Sequence, residues 1–320
     1  MLNCMPIPLP TGSNMLDITV SAHEKRIQLR TMLASSRLLQ FPGAHSPLVA
    51  RQIEQLGFEG IYISGAALAA ELGLPDIGLT TMTEVSQRGY QISRCTNLPA
   101  LIDIDTGFGE AMNMARTIVE LENLGLAGCH LEDQINPKRC GHLDGKQLVP
   151  VATMQQRIRA AVDARRDPNF LIMARTDARA DEGLEAAIER AKAYVAAGAD
   201  AIFPEALQDI GEFAVFRQAI DVPLLANMTE FGKSRLLTAE ELAGIGINMA
   251  IYPVSTLRSA MGASRRLLQT IRSEGSQVAV VDDMLTRAEL YEMLGYQEYN
   301  RYDRSIFNFN VSDQAQPQGE

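Results

Sequence analysis

The stretch PALIDIDTGFGEAMNMARTIVELENLGLAGCHLEDQ, residues 99–134, decides the fold. It opens on one short apolar run, PALIDID, and closes on another, GCHLEDQ. Between them Met114, Ile118 and Leu121 recur at helical spacing, and Gly125 supplies a helix stop. Strand, helix and strand in this order predict two parallel strands, because a parallel pairing needs a crossover and the helix provides it.

The same alternation extends in both directions. LLQF (from 38), GIYISG (60), FLIMART (170), AIFPEA (201), PLLANM (223) and MAIYPV (249) join the first two runs as eight candidate strands. In GLEAAIERAKAYVAAG, Leu184, Ile188, Ala191 and Val195 share one helical face, Glu185, Glu189 and Lys192 fall elsewhere, and Gly198 ends the pattern. Eight repeats predict an α/β fold of the closed (β/α)8 TIM-type barrel kind rather than an open sheet, and no GxGxxG follows the first strand. The expected organisation is a single barrel domain over 1–320. It has a loose arm at 1–18, an N-terminal helical arm, the barrel at 36–275, a C-terminal helical extension at 276–310 containing LTRAELYEMLGY, and a disordered polar tail at 311–320.

Composition narrows the function. At 46% hydrophobic and 21% charged residues the chain reads as globular, and no apolar run approaches the roughly 18 residues of a membrane span. A net charge of -10 disfavours nucleic acid and anionic membranes as partners, so an anionic ligand would need arginine and lysine concentrated locally. The opening MLNCMPIPLPTGSNM lacks the pattern of a signal peptide. Cys4, Cys95, Cys129 and Cys140 are widely spaced with no CxxC, which argues against zinc and a disulfide framework and predicts a reducing, cytoplasmic location.

Barrel chemistry collects at the carboxyl ends of the strands. There the third run ends in Asp103 and Asp105, which period-two geometry places on one face. Two adjacent carboxylates call for a cation, and oxygen ligands suit Mg²⁺; the alternative is that one Asp caps the helix beginning near Glu110. The fourth run sets His130, Glu132 and Gln134 on one face and Asp133 on the other. Glu132 either completes a metal shell, directly or through water, or pairs with Arg175 across the mouth. Ser64, Gly65, Arg175, Asp177, Glu205, Asn227 and Thr229 stand at the other strand ends. Arg175 near a core needs an anionic partner, which a bound carboxylate would supply. In PKRCGH, residues 137–142, Cys140 lies among Lys138, Arg139 and His142, company that biases a thiol toward thiolate, whereas an isolated cysteine is more often a small buried hydrophobe.

LEDQ followed by PKRCGH, preceded by IDIDTGFG and SGAALAAELGLPDIG and followed by IMARTDA, FPEA, LANMTEFG and TRAELYE, resembles the isocitrate lyase and phosphoenolpyruvate mutase superfamily. Within it the chain is most similar to the short methylisocitrate lyases, from roughly Arg30 to Tyr296. The resemblance implies Mg²⁺-dependent cleavage of a small tricarboxylate, with Asp103, Asp105 and Glu132 toward the metal. It implies substrate contacts at Ser64, Gly65, Gly141, Arg175, Glu205, Asn227, Met228, Thr229, Arg258 and Arg287, with Ala66 standing where these lyases carry glycine. Cys140 matches the catalytic general acid, His142 is a catalytic neighbour or a carboxylate ligand, and Tyr62 is the candidate base for the substrate hydroxyl. Phe203, Ile251 and Pro253 would line the end of the pocket that receives the methyl group. Gly141 and Gly145 suit a hinged lid, and Leu290, Tyr291 and Leu294 suit a docking element of a homotetramer with exchanged C-terminal helices. The rivals are a phosphonomutase, whose loop reads EDKxxPKxNS where this chain has EDQINPKRCGH, an isocitrate lyase, an oxaloacetate decarboxylase and a non-catalytic carboxylate-binding barrel.

Overall fold

A computed structural model describes residues 19–35, 37–141 and 145–307. Eight strands form where the apolar runs lie: β1 (Leu39–Pro42), β2 (Ile61–Ile63), β3 (Ala100–Asp103), β4 (Gly128–Glu132), β5 (Leu171–Thr176), β6 (Ala201–Pro204), β7 (Leu225–Asn227) and β8 (Met249–Tyr252). All pairings are parallel, in the orders β2-β3-β4-β5-β6 and β1-β8-β7. Parallel bridges Gly43–Tyr62 and Ile202–Leu224 join the two groups, so the sheet closes on itself. Closure removes both edges, which would otherwise expose unpaired backbone.

The helices are α1 (Ala22–Leu33), α2 (Pro47–Gln55), α3 (Gly65–Glu71), α4 (Met82–Ser93), α5 (Ala111–Asn123), α6 (Val151–Ala164), α7 (Leu184–Ala196), α8 (Ile210–Ala219) and α9 (Ala239–Gly244), followed by α10 (Ser255–Glu274), α11 (Arg287–Met293) and α12 (Tyr296–Phe307). Side-chain alternation along each strand builds two apolar layers. Leu101, Leu171, Met173 and Phe203 point into the barrel, while Ile102, Leu131, Ile172 and Ile202 pack outward with Met114, Ile118 and Leu121 of α5 and their counterparts on the other helices.

The N-terminal end of the barrel is sealed by α1. Its Leu29 and Leu33 belong to the interior cluster, and its cations bind carbonyl oxygens of the loops that lead into the strands. Lys25 Nζ donates to Ser93 and Thr96, Arg26 to Glu122 and Leu126, and Arg30 to Asn169 and Phe170. A Ser21–Glu24 capping box starts this helix.

The chain divides into two compact units, Ile18–Ser264 and a second that begins at Arg265. The first holds the barrel. In the second, α11 starts from a Thr286–Glu289 capping box and α12 follows; Tyr291 stacks on Tyr296, and Leu294 is exposed. The arm at 1–18, the tail at 311–320 and His142 lie outside the described residues.

Candidate active site at the barrel mouth

Asp103 is the last residue of β3, but Asp105 lies beyond the strand, with φ of 49°. The expectation of two carboxylates alternating on one strand is therefore corrected. The chain turns at Asp105 into the left-handed region, which Asp tolerates better than most residues, and that turn brings the second carboxylate beside the first. Asp105 N–H donates to Asp103 Oδ1 at 3.0 Å. A methyl at Gly65 would lie 3.0 Å from Asp103 Oδ2 and 3.3 Å from Asp105 Oδ1, so both acids face the start of α3. Neither caps α5, whose N-cap is Glu110 with no side-chain bond. Gly65 N–H donates to Asp103 Oδ2, and Ser64 caps α3 by accepting from Ala67 N–H.

Glu132 ends β4 and is completely buried. Neither of its oxygens accepts a hydrogen bond among the described residues, and Arg175 Nε lies 3.3 Å from Oε2. Burial pushes its carboxyl well above the usual range, against the pull of Arg175 and Lys138. Arg175 donates to both oxygens of Asp177, at 3.0 and 2.9 Å, lies 3.8 Å from Glu205 and covers the ring of Phe203. The anionic partner demanded by this buried arginine is thus supplied in part by the protein's own acids.

Lys138 is 3% exposed, with Nζ 2.7 Å from Asp105 Oδ1 and bonded also to Asp76. Arg139 donates to the carbonyls of Pro137 and Lys138. Both cations expected to tune Cys140 therefore have partners of their own. Burial raises the Asp105 carboxyl to about 6 despite Lys138. Burial also opposes ionisation of Asp103, but His130, Lys138 and Arg175 outweigh it and hold that group below its ordinary value.

The segment carrying Cys140 is clamped from just beyond β4: Gln134 accepts from Arg139 N–H and donates to Arg139 O. Gly141 is required for close approach rather than as a free hinge. A methyl there would stand 2.3 Å from Arg175 Nη2 and 2.8 Å from Asp177 Oδ1. Gly145 has φ of 82° with open space around it, which does suit a turning point.

Tyr62 departs from its expected role. It is 2% exposed inside the barrel and shares a 2.7 Å hydrogen bond with His130 Nε2. Burial and the neighbouring Asp103 raise its phenol far above the ordinary value, so it keeps its proton and is unsuited to act as a base. Burial lowers the pKa of His130 to about 4 against the pull of Asp103, and its ring meets Phe203 edge-on.

Asn227 Nδ2 donates to Glu205, while Arg258 donates to Thr229 and Glu230 at the same end of the barrel. Met228 turns outward into the layer beneath the helices, where its sulfur accepts from Leu237 N–H, so its expected substrate contact is limited to backbone. Ala66 is half-buried in the first turn of α3. Arg287 opens α11 in the second unit and is exposed. Phe203 and Ile251 are fully buried in the interior cluster, and Pro253 is buried beyond β8.

Asp76 and Lys146 were not singled out from the sequence as members of the site, and His130 was placed on the face of the fourth run without a role. Asp76 lies in GLPDIG, well away from the strand ends, and meets Lys138 only through a contact 62 positions apart. Its one cue was an acid beside a helix-breaking proline.

The donors fit a hard divalent cation. All are oxygens, Glu132 leaves both acceptors without hydrogen bonds, and Gly65 leaves room where a side chain would crowd Asp103 and Asp105. Among the described residues no three His, Cys, Asp or Glu side chains close around a common centre; Lys138 supplies the cation between Asp76 and Asp105.

A closed parallel barrel with acids, a buried arginine and a cysteine segment converging on the carboxyl ends of its strands defines a barrel enzyme acting on small anions. The family profile described as phosphoenolpyruvate phosphomutase matches residues 29–272, and the chain belongs to that family. It is 57% identical over 94% of its length to the probable 2-methylisocitrate lyase 1 of Corynebacterium glutamicum, covering 99% of that protein. It is 50% identical over 85% of its length to the 2-methylisocitrate lyase of Shewanella oneidensis, covering 94% of it. Among solved structures, phosphonopyruvate hydrolase in complex with oxalate and Mg²⁺ superposes with a TM-score of 0.80 at 32% identity, over 88% of this chain and 99% of that one.

Proposed function

We propose that this chain is a carbon–carbon lyase that cleaves 2-methylisocitrate to pyruvate and succinate. The observation that carries the reading is the placement of the cysteine segment against the acid–arginine cluster, in a chain alike throughout to lyases of that name. Asp103 and Asp105, with Glu132 beside them, would hold a divalent cation, which we take to be Mg²⁺. When bound, it supplies Lewis-acid stabilisation of the charge that develops on the pyruvate half.

The remaining work falls to the chain itself. Arg175, Asn227 and Arg258 present donors for substrate carboxylates. The substrate hydroxyl passes its proton to one of the buried carboxylates at the mouth, the carbon–carbon bond breaks, and succinate leaves first as an enediolate that accepts one proton on carbon. Cys140 delivers that proton, because thiols as a class, with an ordinary value of about 8.5, are far closer to working pH than hydroxyls are. Gly141 lets the segment approach Arg175 and exclude water from the basic intermediate. Tyr62 and His130 position the Asp103 side of the site from below. We further propose a cytoplasmic homotetramer formed through the C-terminal helices; the unbridged thiols of Cys95 and Cys129 and the exposed Tyr291 and Leu294 support that reading.

The deciding experiment is a product assay with purified protein, Mg²⁺ and, separately, 2-methylisocitrate, isocitrate or oxaloacetate. Pyruvate and succinate should form fastest from the first. Faster release of glyoxylate from isocitrate, or decarboxylation of oxaloacetate alone, would replace the assignment.

A further inference from the structure

Lys146 follows the cysteine segment, and its side chain is 1% exposed. An ammonium buried to that degree must find partners, because unpaired charge away from water is costly. It donates a hydrogen bond to the Gly141 carbonyl, and Asp177 Oδ1 lies 3.8 Å away. Both partners belong to the site. Gly141 is the residue after Cys140, and Asp177 is the carboxylate that grips Arg175 with two hydrogen bonds. Asp177 is itself fixed, since its N–H donates to Asp133 Oδ1 at 2.9 Å and Asp133 accepts in turn from Thr176 and Tyr194.

We propose that Lys146 is a positioning residue for the lyase reaction: its ammonium ties the Gly141 carbonyl to Asp177 and so sets where Cys140 stands relative to the carboxylate that orients Arg175. The proposal rests on the assignment of Cys140 as proton donor. Lys146 touches no reacting atom and exchanges no proton; it holds one backbone oxygen in register with a rigid part of the barrel. Without it the cysteine segment keeps the Gln134 clamp on one side but loses its anchor on the other.

The test compares Lys146→Met, Lys146→Gln and Lys146→Arg in the full chain with saturating Mg²⁺. A displacement of about 1 Å at a reacting group costs on the order of 10²-fold, so Lys146→Met should lower kcat by about that factor and leave KM nearly unchanged. Lys146→Arg keeps charge and donors and should recover most of the loss. A second measurement follows alkylation of Cys140 by iodoacetamide, located by peptide mapping. Loss of one charge-assisted hydrogen bond should raise its rate by about tenfold in Lys146→Met. Should that variant not fold, Lys146→Gln, which keeps a donor without the charge, carries both measurements with a smaller shift in the same direction. Parental kcat and parental alkylation in the folded variants, or no recovery with arginine, would overturn the proposal. Full activity of Cys140→Ser would remove the proton-donor reading while leaving the alkylation result intact, so the two failures are read separately.

Discussion

The two ends of the barrel bury charge in opposite ways. At the sealed end, Lys25, Arg26 and Arg30 meet backbone carbonyls, and Asp167 and Asp200 meet arginines, so the charges serve folding. At the mouth, the carboxylates of Asp76, Asp103, Asp105, Glu132, Asp177 and Glu205 are set against Lys138, Lys146 and Arg175. Acid outweighs base there, and burial raises Asp105 to about 6 and pushes Glu132 well above the usual carboxylate range. The same barrel therefore shows what matched and unmatched burial are for. Matched charges close a structure, whereas a surplus of one sign keeps an affinity for something not yet bound.

The largest effect is expected from cutting into that surplus. Asp105→Ala should abolish metal-dependent turnover and remove the calorimetric signal of Mg²⁺ binding; normal binding in this variant would place the cation elsewhere. Next, Cys140→Ser should lower kcat by roughly 10²- to 10⁴-fold, the range for loss of general acid catalysis, with an unchanged unfolding midpoint. The mouth should also discriminate by one methyl group. An apolar pocket gains about 10- to 200-fold from it, so kcat/KM for isocitrate should fall below that for 2-methylisocitrate by such a factor.

At the sealed end the readout reverses. Arg26→Ala removes donors to Glu122 and Leu126 and an ion pair to Asp167, and should cost about 2 kcal/mol or more in denaturant unfolding with kcat unmoved. A fall in kcat without loss of stability would break the comparison. The smallest effect is one of pH. Partial burial of Asp167 favours its neutral form, but hydrogen bonds from His23, Asn169 N–H and Arg26 prevail and lower its pKa. A depressed carboxylate stabilises the fold fully above its unfolded value near pH 4 and loses that contribution as pH falls further. The stability difference between the parent and Asp167→Asn should thus be fully present at about pH 5 and shrink below about pH 4.

Much of this architecture is local and could be read along the chain. Each strand announces itself by an apolar run and each helix by its spacing, because those patterns depend on neighbours a few positions away. Asp103, Glu132 and Arg175 were legible for the same reason, being polar residues at the ends of such runs. The other features depend on contacts that no local pattern encodes. Asp105 reaches the site through a turn at φ of 49° rather than by strand alternation. Tyr62 is set in the barrel interior against His130, 68 positions away, and there loses its candidacy as a base. Lys138 turns to Asp76 across 62 positions, and α1 reaches carbonyls up to 140 positions away to seal the base. Sequence alone determined the barrel and most of the residues at its mouth. Closure of the chain decided which charges are matched and which remain in surplus, because burial and pairing exist only once distant segments exclude water from one another.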